Sequence, residues 1–147
     1  MTDRPLVEKR LAVTETCLAD LRRLARPELI ETDVREQRFV EHTLQVGIQA
    51  ALDVASHIVS DRRLGEPRTN RELFTLLERD GWILSELRAR LAAMAGFRNI
   101  LVHGYDDVDL AVVRDVLTSR LGDLEAFVQC IRQKLKDDPG GRSTSPG

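Results

Sequence analysis

Apolar side chains recur along this chain at three- and four-residue steps, the spacing that returns a residue to the same face of an α-helix. Leu6, Leu11, Leu18, Leu21 and Leu24 mark a first amphipathic helix over Pro5 to Ala25, which Pro27 breaks. A second, more apolar stretch runs from about Asp33 to Ser60, with Thr32 or Asp33 placed to cap its start, and Gly65-Glu66-Pro67 ends the connection that follows. Leu73, Phe74 and Leu77 give a short third helix from Thr69 or Asn70 to Asp80-Gly81. Trp82 and Ile83 start or staple a fourth helix, capped by Ser85 and ending near His103, and a fifth runs from about Asp109 to Lys136. Alternating strand patterns are missing, so an all-α bundle of four to five helices is expected, as a single domain over residues 1–136. The segment from Asp137 to Gly147 has almost nothing to bury and is expected to be a disordered tail.

Composition narrows the function classes. The 147 residues carry 42% apolar side chains, enough for a core, and 22 Lys+Arg against 24 Asp+Glu, a formal net charge of −2. A broadly basic nucleic-acid coat is thereby excluded; RNA would have to be held by a local basic patch, with salt-sensitive binding. Cys17 and Cys130 stand far apart without paired spacing, and with three scattered histidines they offer no zinc pattern, so both read as reduced, half-buried core residues and no metal or cofactor is expected. Neither a signal peptide nor a bilayer-length apolar run appears, which points to a cytoplasmic protein without a membrane partner. A phosphate-binding glycine loop is also missing, which argues against nucleotide hydrolysis by this chain, and Asp106, Asp107 and Asp109 read as acids favoured by the start of a helix.

The run Arg98-Asn99-Ile100-Leu101-Val102-His103-Gly104-Tyr105 concentrates phosphate chemistry at one helix terminus. Continued from Leu84, Leu87, Leu91 and Met94, the helical step lands on Arg98 and Leu101, so Arg98 takes a core-facing position. A guanidinium there needs a carboxylate, a wet cleft or an anionic ligand. Residues five apart differ by about 7.5 Å in height and about 140° in azimuth, so Arg98 and His103 diverge on a regular helix. Gly104 would resolve this as a left-handed terminator that redirects the chain. His103, in the last turn, would be favoured in its charged form by the helix dipole and would suit a general acid. Each residue also has an ordinary structural reading: a buried ion pair for Arg98, a cap for His103, a stop for Gly104, a covering ring for Tyr105.

A second constellation lies on the second helix, where Gln45, Gln49, Asp53 and His57 follow at steps of four. This line marks either an internal polar cleft or the single solvent-facing stripe of a largely buried helix. Asp53 can reach His57 at i,i+4. Gly47, Ala50, Ala51 and Ala55 around it permit a close helix approach; were the partner the fourth helix, Asp53 and His57 would support Arg98 and His103.

The pattern Arg-x-x-x-x-His-x-Tyr, with a polar residue after the arginine, resembles the signature of HEPN-domain ribonucleases, in particular HepT-like toxins. The segments Arg38 to Val59, Arg71 to Phe74 and Met94 to Tyr105 look like that family, and the similarity covers most of residues 5–136. The resemblance implies an up-down HEPN-like bundle that forms a homodimer, with Arg98 and His103 of both subunits around a shared cleft. It implies a type II toxin that cleaves RNA, tRNA or mRNA, without metal through a 2′,3′-cyclic phosphate. Arg98 would stabilise the phosphorane, His103 move a proton and Asn99 orient one of them. It further implies a minimal nucleotidyltransferase antitoxin as partner, which attaches AMP to Tyr105. The alternative is a non-catalytic nucleotide-binding or docking subunit of such a transferase complex, in which Arg98 and His103 bind phosphate without cleaving it.

Overall fold

The computed structural model describes residues 2–104 and 108–137. Six α-helical segments make the fold: α1 (Arg4–Leu24), α2 (Val34–Asp61), α3 (Asn70–Arg79), α4 (Ser85–His103), α5 (Leu110–Asp115) and α6 (Leu121–Asp137). Among the described residues there is no strand, in keeping with the all-α expectation. The expected tail falls on residues outside those described, except Asp137, which closes α6.

The helix starts follow local chemistry. Asp3, Asp33, Thr69 and Asp109 each accept a hydrogen bond from a backbone N–H of the first turn they cap, at 3.1, 2.9, 3.3 and 2.9 Å. Ser85 is the exception to the sequence reading. It is the first residue inside α4, and the capping position belongs to Leu84, whose side chain is apolar and cannot accept. Trp82 and Ile83 lie buried in the connection before it, Trp82 donating from Nε1 to Asp80 at 2.9 Å beneath the Arg62 guanidinium. Pro27 opens a single 3-10 turn rather than a plain break.

One apolar cluster unites all six segments, with Leu11, Ile48, Ile58, Leu77, Leu91, Phe127 and Ile131 almost fully buried. Phe74 meets Phe127 edge to face at 5.9 Å, which ties α3 to α6. Gly47 makes the closest helix approach, but toward α1. A Cβ there would stand 3.0 Å from Cys17 Cβ, and the Thr14 hydroxyl donates to the Gly47 carbonyl at 2.9 Å. Gly47 thus serves the contact with α1. Burial, followed by the charge of Asp20, raises the Cys17 thiol pKa, so it stays a protonated apolar filler.

The expected fifth helix is continuous but not uniform. Val116 to Arg120 widen into a π turn between α5 and α6. Thr118 donates its hydroxyl to the Arg114 carbonyl at 2.9 Å, competing for the acceptor that holds the regular ladder, and Arg120 pairs with Asp115 five residues back. The seam between α1 and α6 is closed by charge: Arg132 binds Glu15 through both terminal nitrogens at 2.6 and 2.8 Å and Glu8 through Nε at 2.9 Å. Arg22 meets Glu125 at 2.7 Å along the same seam. Hydrogen bonds from Arg132 hold the Glu15 carboxyl below its ordinary range.

Candidate functional site

The carboxyl-terminal half of α4 departs from the rest of the bundle. The buried positions Leu87, Leu91, Met94 and Ala95 of α4 form one stripe, and Arg98 continues it between the buried Phe97 and Leu101, which packs against the core. Arg98 is half-buried rather than interior. Its Nε is shielded from solvent and has no hydrogen-bond partner among the described residues, while Nη1 donates to Asn99 Oδ1 at 3.3 Å. Among the described residues no carboxylate pairs with it.

His103 is exposed at the last residue of α4. Gly104 does not take the left-handed conformation anticipated for it; its φ of −78° and ψ of −18° are right-handed. Its N–H donates to the Ile100 carbonyl at 2.7 Å, closing the last turn in the ordinary way. Glycine is required here for room instead, because a Cβ would come within 2.5 Å of that same oxygen and 3.3 Å of Val108 Cγ2. The helix thus stays regular through His103, and Arg98 and His103 keep their separation of about 140° in azimuth. Asn99 lies between the two faces, and by holding Arg98 Nη1 it draws the guanidinium toward the side that carries His103.

Tyr105 lies outside the described residues, as do Asp106 and Asp107. Asp53 and His57 line a cavity of about 360 Å³ together with Leu6, Val7 and Arg10 of α1. Within this chain they face α1, so they are not brought to Arg98 and His103. Nor do they pair with each other in the way the spacing allows. Gln49 donates to Asp53 at 2.8 Å, and the Asp3 backbone N–H donates to His57 Nε2 at 3.4 Å.

One functional candidate escaped the sequence reading. The Arg71 guanidinium, from the first turn of α3, lies directly against Gly96 of α4, where any Cβ would overlap it. Gly96 and His103 are seven residues apart, about 10.5 Å along the axis and within about 20° in azimuth, so Arg71 sits above the His103 face. Ile100, between them on that face, is 49% exposed. A glycine in a helix interior was the available signal, but its partner was invisible without the packing of α3 on α4.

Comparison with known proteins places these features in context. A family model described as Ribonuclease HepT-like matches residues 14–131. Over 128 residues the chain is 30% identical to the mRNA nuclease HepT of Shewanella oneidensis, covering 86% of this chain and 96% of that protein. It is 31% identical over 132 residues to the tRNA nuclease HepT of Aphanizomenon flos-aquae, with 88% and 90% covered. The tri-AMPylated Shewanella oneidensis HEPN toxin, solved in complex with an MNT antitoxin, superposes with a TM-score of 0.81 at 30% identity, over 90% of this chain and 99% of that one.

Proposed function

The chain belongs to the Ribonuclease HepT-like family, and on that premise we propose that it is the nuclease toxin of a type II toxin–antitoxin pair, cutting RNA without metal at a site shared by two protomers. The observation that carries this reading is the state of Arg98: a half-buried guanidinium, free of any carboxylate among the described residues, five positions before an exposed histidine at a helix end. Such a guanidinium is unneutralised and available to an anion.

The chemistry follows from those groups. A ribose 2′-oxygen attacks the adjacent phosphorus, the bond to the 5′-oxygen breaks, and the products are a 2′,3′-cyclic phosphate and a 5′-hydroxyl. Arg98 stabilises the charge gathering on the phosphorane oxygens, His103 moves the proton onto the leaving oxygen or off the attacking one, and Asn99 orients Arg98. Neither proton transfer nor charge stabilisation calls for a metal ion. Because Arg98 and His103 point to different sides of α4, one protomer supplies a divergent pair. A two-fold axis would set the arginine of one subunit against the histidine of its partner, which is the reason to expect a homodimer.

A minimal nucleotidyltransferase is the expected antitoxin, in line with the complex formed by the Shewanella relative. The Tyr105 phenol oxygen would attack the α-phosphorus of ATP and release pyrophosphate, leaving AMP two residues from His103. Its negative charge would compete for Arg98 and its bulk would obstruct the RNA. RNA, the antitoxin and ATP would all be met in the cytoplasm.

Cleavage by purified dimer in EDTA tests the reading. The wild type should give cyclic-phosphate ends, and His103→Ala should lose them while melting at the wild-type temperature. A protein that binds RNA or nucleotide but cuts nothing would instead be a docking subunit of the transferase. Mass spectrometry after incubation with ATP and the transferase should find AMP on the peptide containing Tyr105.

A further inference from the structure

We propose that Arg71 is a phosphate-binding residue of the RNA path, seated by Gly96 on the same face of α4 as His103 and engaging a phosphate other than the one cut. The inference rests on the nuclease reading of that face. Three observations support it.

First, the seat is built at a cost. Glycine is, after proline, the poorest residue for a helix interior, yet position 96 holds one in the middle of α4. Its missing side chain is filled by Arg71, whose Nη2, Cζ and Nε all lie where a Cβ would make contact. Second, Arg71 occupies the first turn of α3, the end of a helix that disfavours a positive charge. Third, Arg71 meets no carboxylate among the described residues. The guanidinium thus rests against Gly96 and, among the described residues, keeps its donors for a ligand.

The register of the two helices aims it. Glu78 pairs with Arg88 at 2.8 Å, and Arg71 meets Gly96, so α3 runs antiparallel to α4 and its first turn lies about two turns short of His103. Beyond Gly96 that face carries Ile100 and His103 and is open. A single strand of RNA laid along it would reach Arg71 with a phosphate about 10 Å from the imidazole, in keeping with an arginine that positions substrate rather than reacts with it.

Three variants decide the matter: Arg71→Ala, Arg71→Lys and Gly96→Ala. Cleavage of a mixed-sequence single-stranded RNA should show KM raised about three- to tenfold in Arg71→Ala, with a smaller change in kcat. Binding of the same RNA, labelled and measured in a His103→Ala background, should lose about 0.7 from the slope of log K against log salt, the mark of one phosphate contact fewer. Arg71→Lys should keep the slope. Gly96→Ala, which improves the helix, should leave the melting temperature unchanged or higher and still raise KM, because its Cβ displaces the guanidinium.

An unchanged KM and salt slope in Arg71→Ala, with active wild type, would overturn the proposal. So would loss of antitoxin binding alone, which would make Arg71 a protein-docking residue. A wild type that cuts no RNA would sink the nuclease reading itself, and the salt slope of binding would still decide for or against Arg71.

Discussion

The seam between α1 and α6 and the region where the last turns of α4 meet the first turn of α3 each carry two arginines, Arg22 and Arg132 in one and Arg71 and Arg98 in the other, and they treat them in opposite ways. At the seam Arg132 is held by two carboxylates and Arg22 by one, so each cation is neutralised within the chain. On α4 and the adjacent turn of α3, Arg98 and Arg71 meet no carboxylate among the described residues. Guanidinium groups cannot be switched off by deprotonation, so the difference lies in where the protein withheld an acid. On this face the half-buried Arg98 and the Arg71 guanidinium against Gly96 leave donors for an external anion.

The sharpest way to break this contrast is to remove the proton carrier on one side and packing on the other. His103→Ala should reduce RNA cleavage by about 10²- to 10⁴-fold, read as initial rates, with thermal stability kept. Gly47→Val in the α1–α2 contact should do the reverse. Its added methyl groups press on Cys17, already 3.0 Å from an ideal Cβ, and should cost about 1–3 kcal/mol in a denaturant titration while the activity per folded molecule stays constant.

Smaller effects sharpen the contrast further. Arg132→Ala should lower stability by about 1 kcal/mol at most, because its pairs are half exposed and screened, and should leave cleavage alone. The smallest signal is a pH dependence. Arg132 depresses the Glu15 pKa in the folded state, so the stabilisation is present above the ordinary value of 4.5 and is lost as pH falls through the depressed one. Melting temperatures of wild type and Glu15→Gln should therefore converge on acidification below about pH 4.5. Divergence there would show that the seam is not held by this carboxylate.

Much of the bundle could be read from the sequence because it is set by local chemistry. Asp33 and Thr69 sit where a first-turn N–H needs an acceptor, and the three- and four-residue apolar steps locate the buried stripe of α4, Arg98 included. What escaped depends on contacts between distant segments or on small local energies. The π turn follows from one Thr118 hydroxyl competing with the ladder, a balance that periodicity does not register. Gly104 was assigned a role from handedness, whereas the crowding around Ile100 and Val108 is what excludes a side chain. Asp53 and His57 read as polar from the sequence, but the helix they face is α1, and only the packing of α1 on α2 could tell. The segment from Arg71 to Phe74 resembles the family, but a role for Arg71 is legible only once α3 is laid against α4.

The hydrogen bond from Arg4 to the Leu135 carbonyl has a practical corollary for engineering. It brings the first turn of the first helix beside the last turn of the last one, so a linker could join the start of α1 to the end of α6. Fresh ends could then be opened in the Arg63 to Arg68 connection, yielding a permuted chain with the same helix packing.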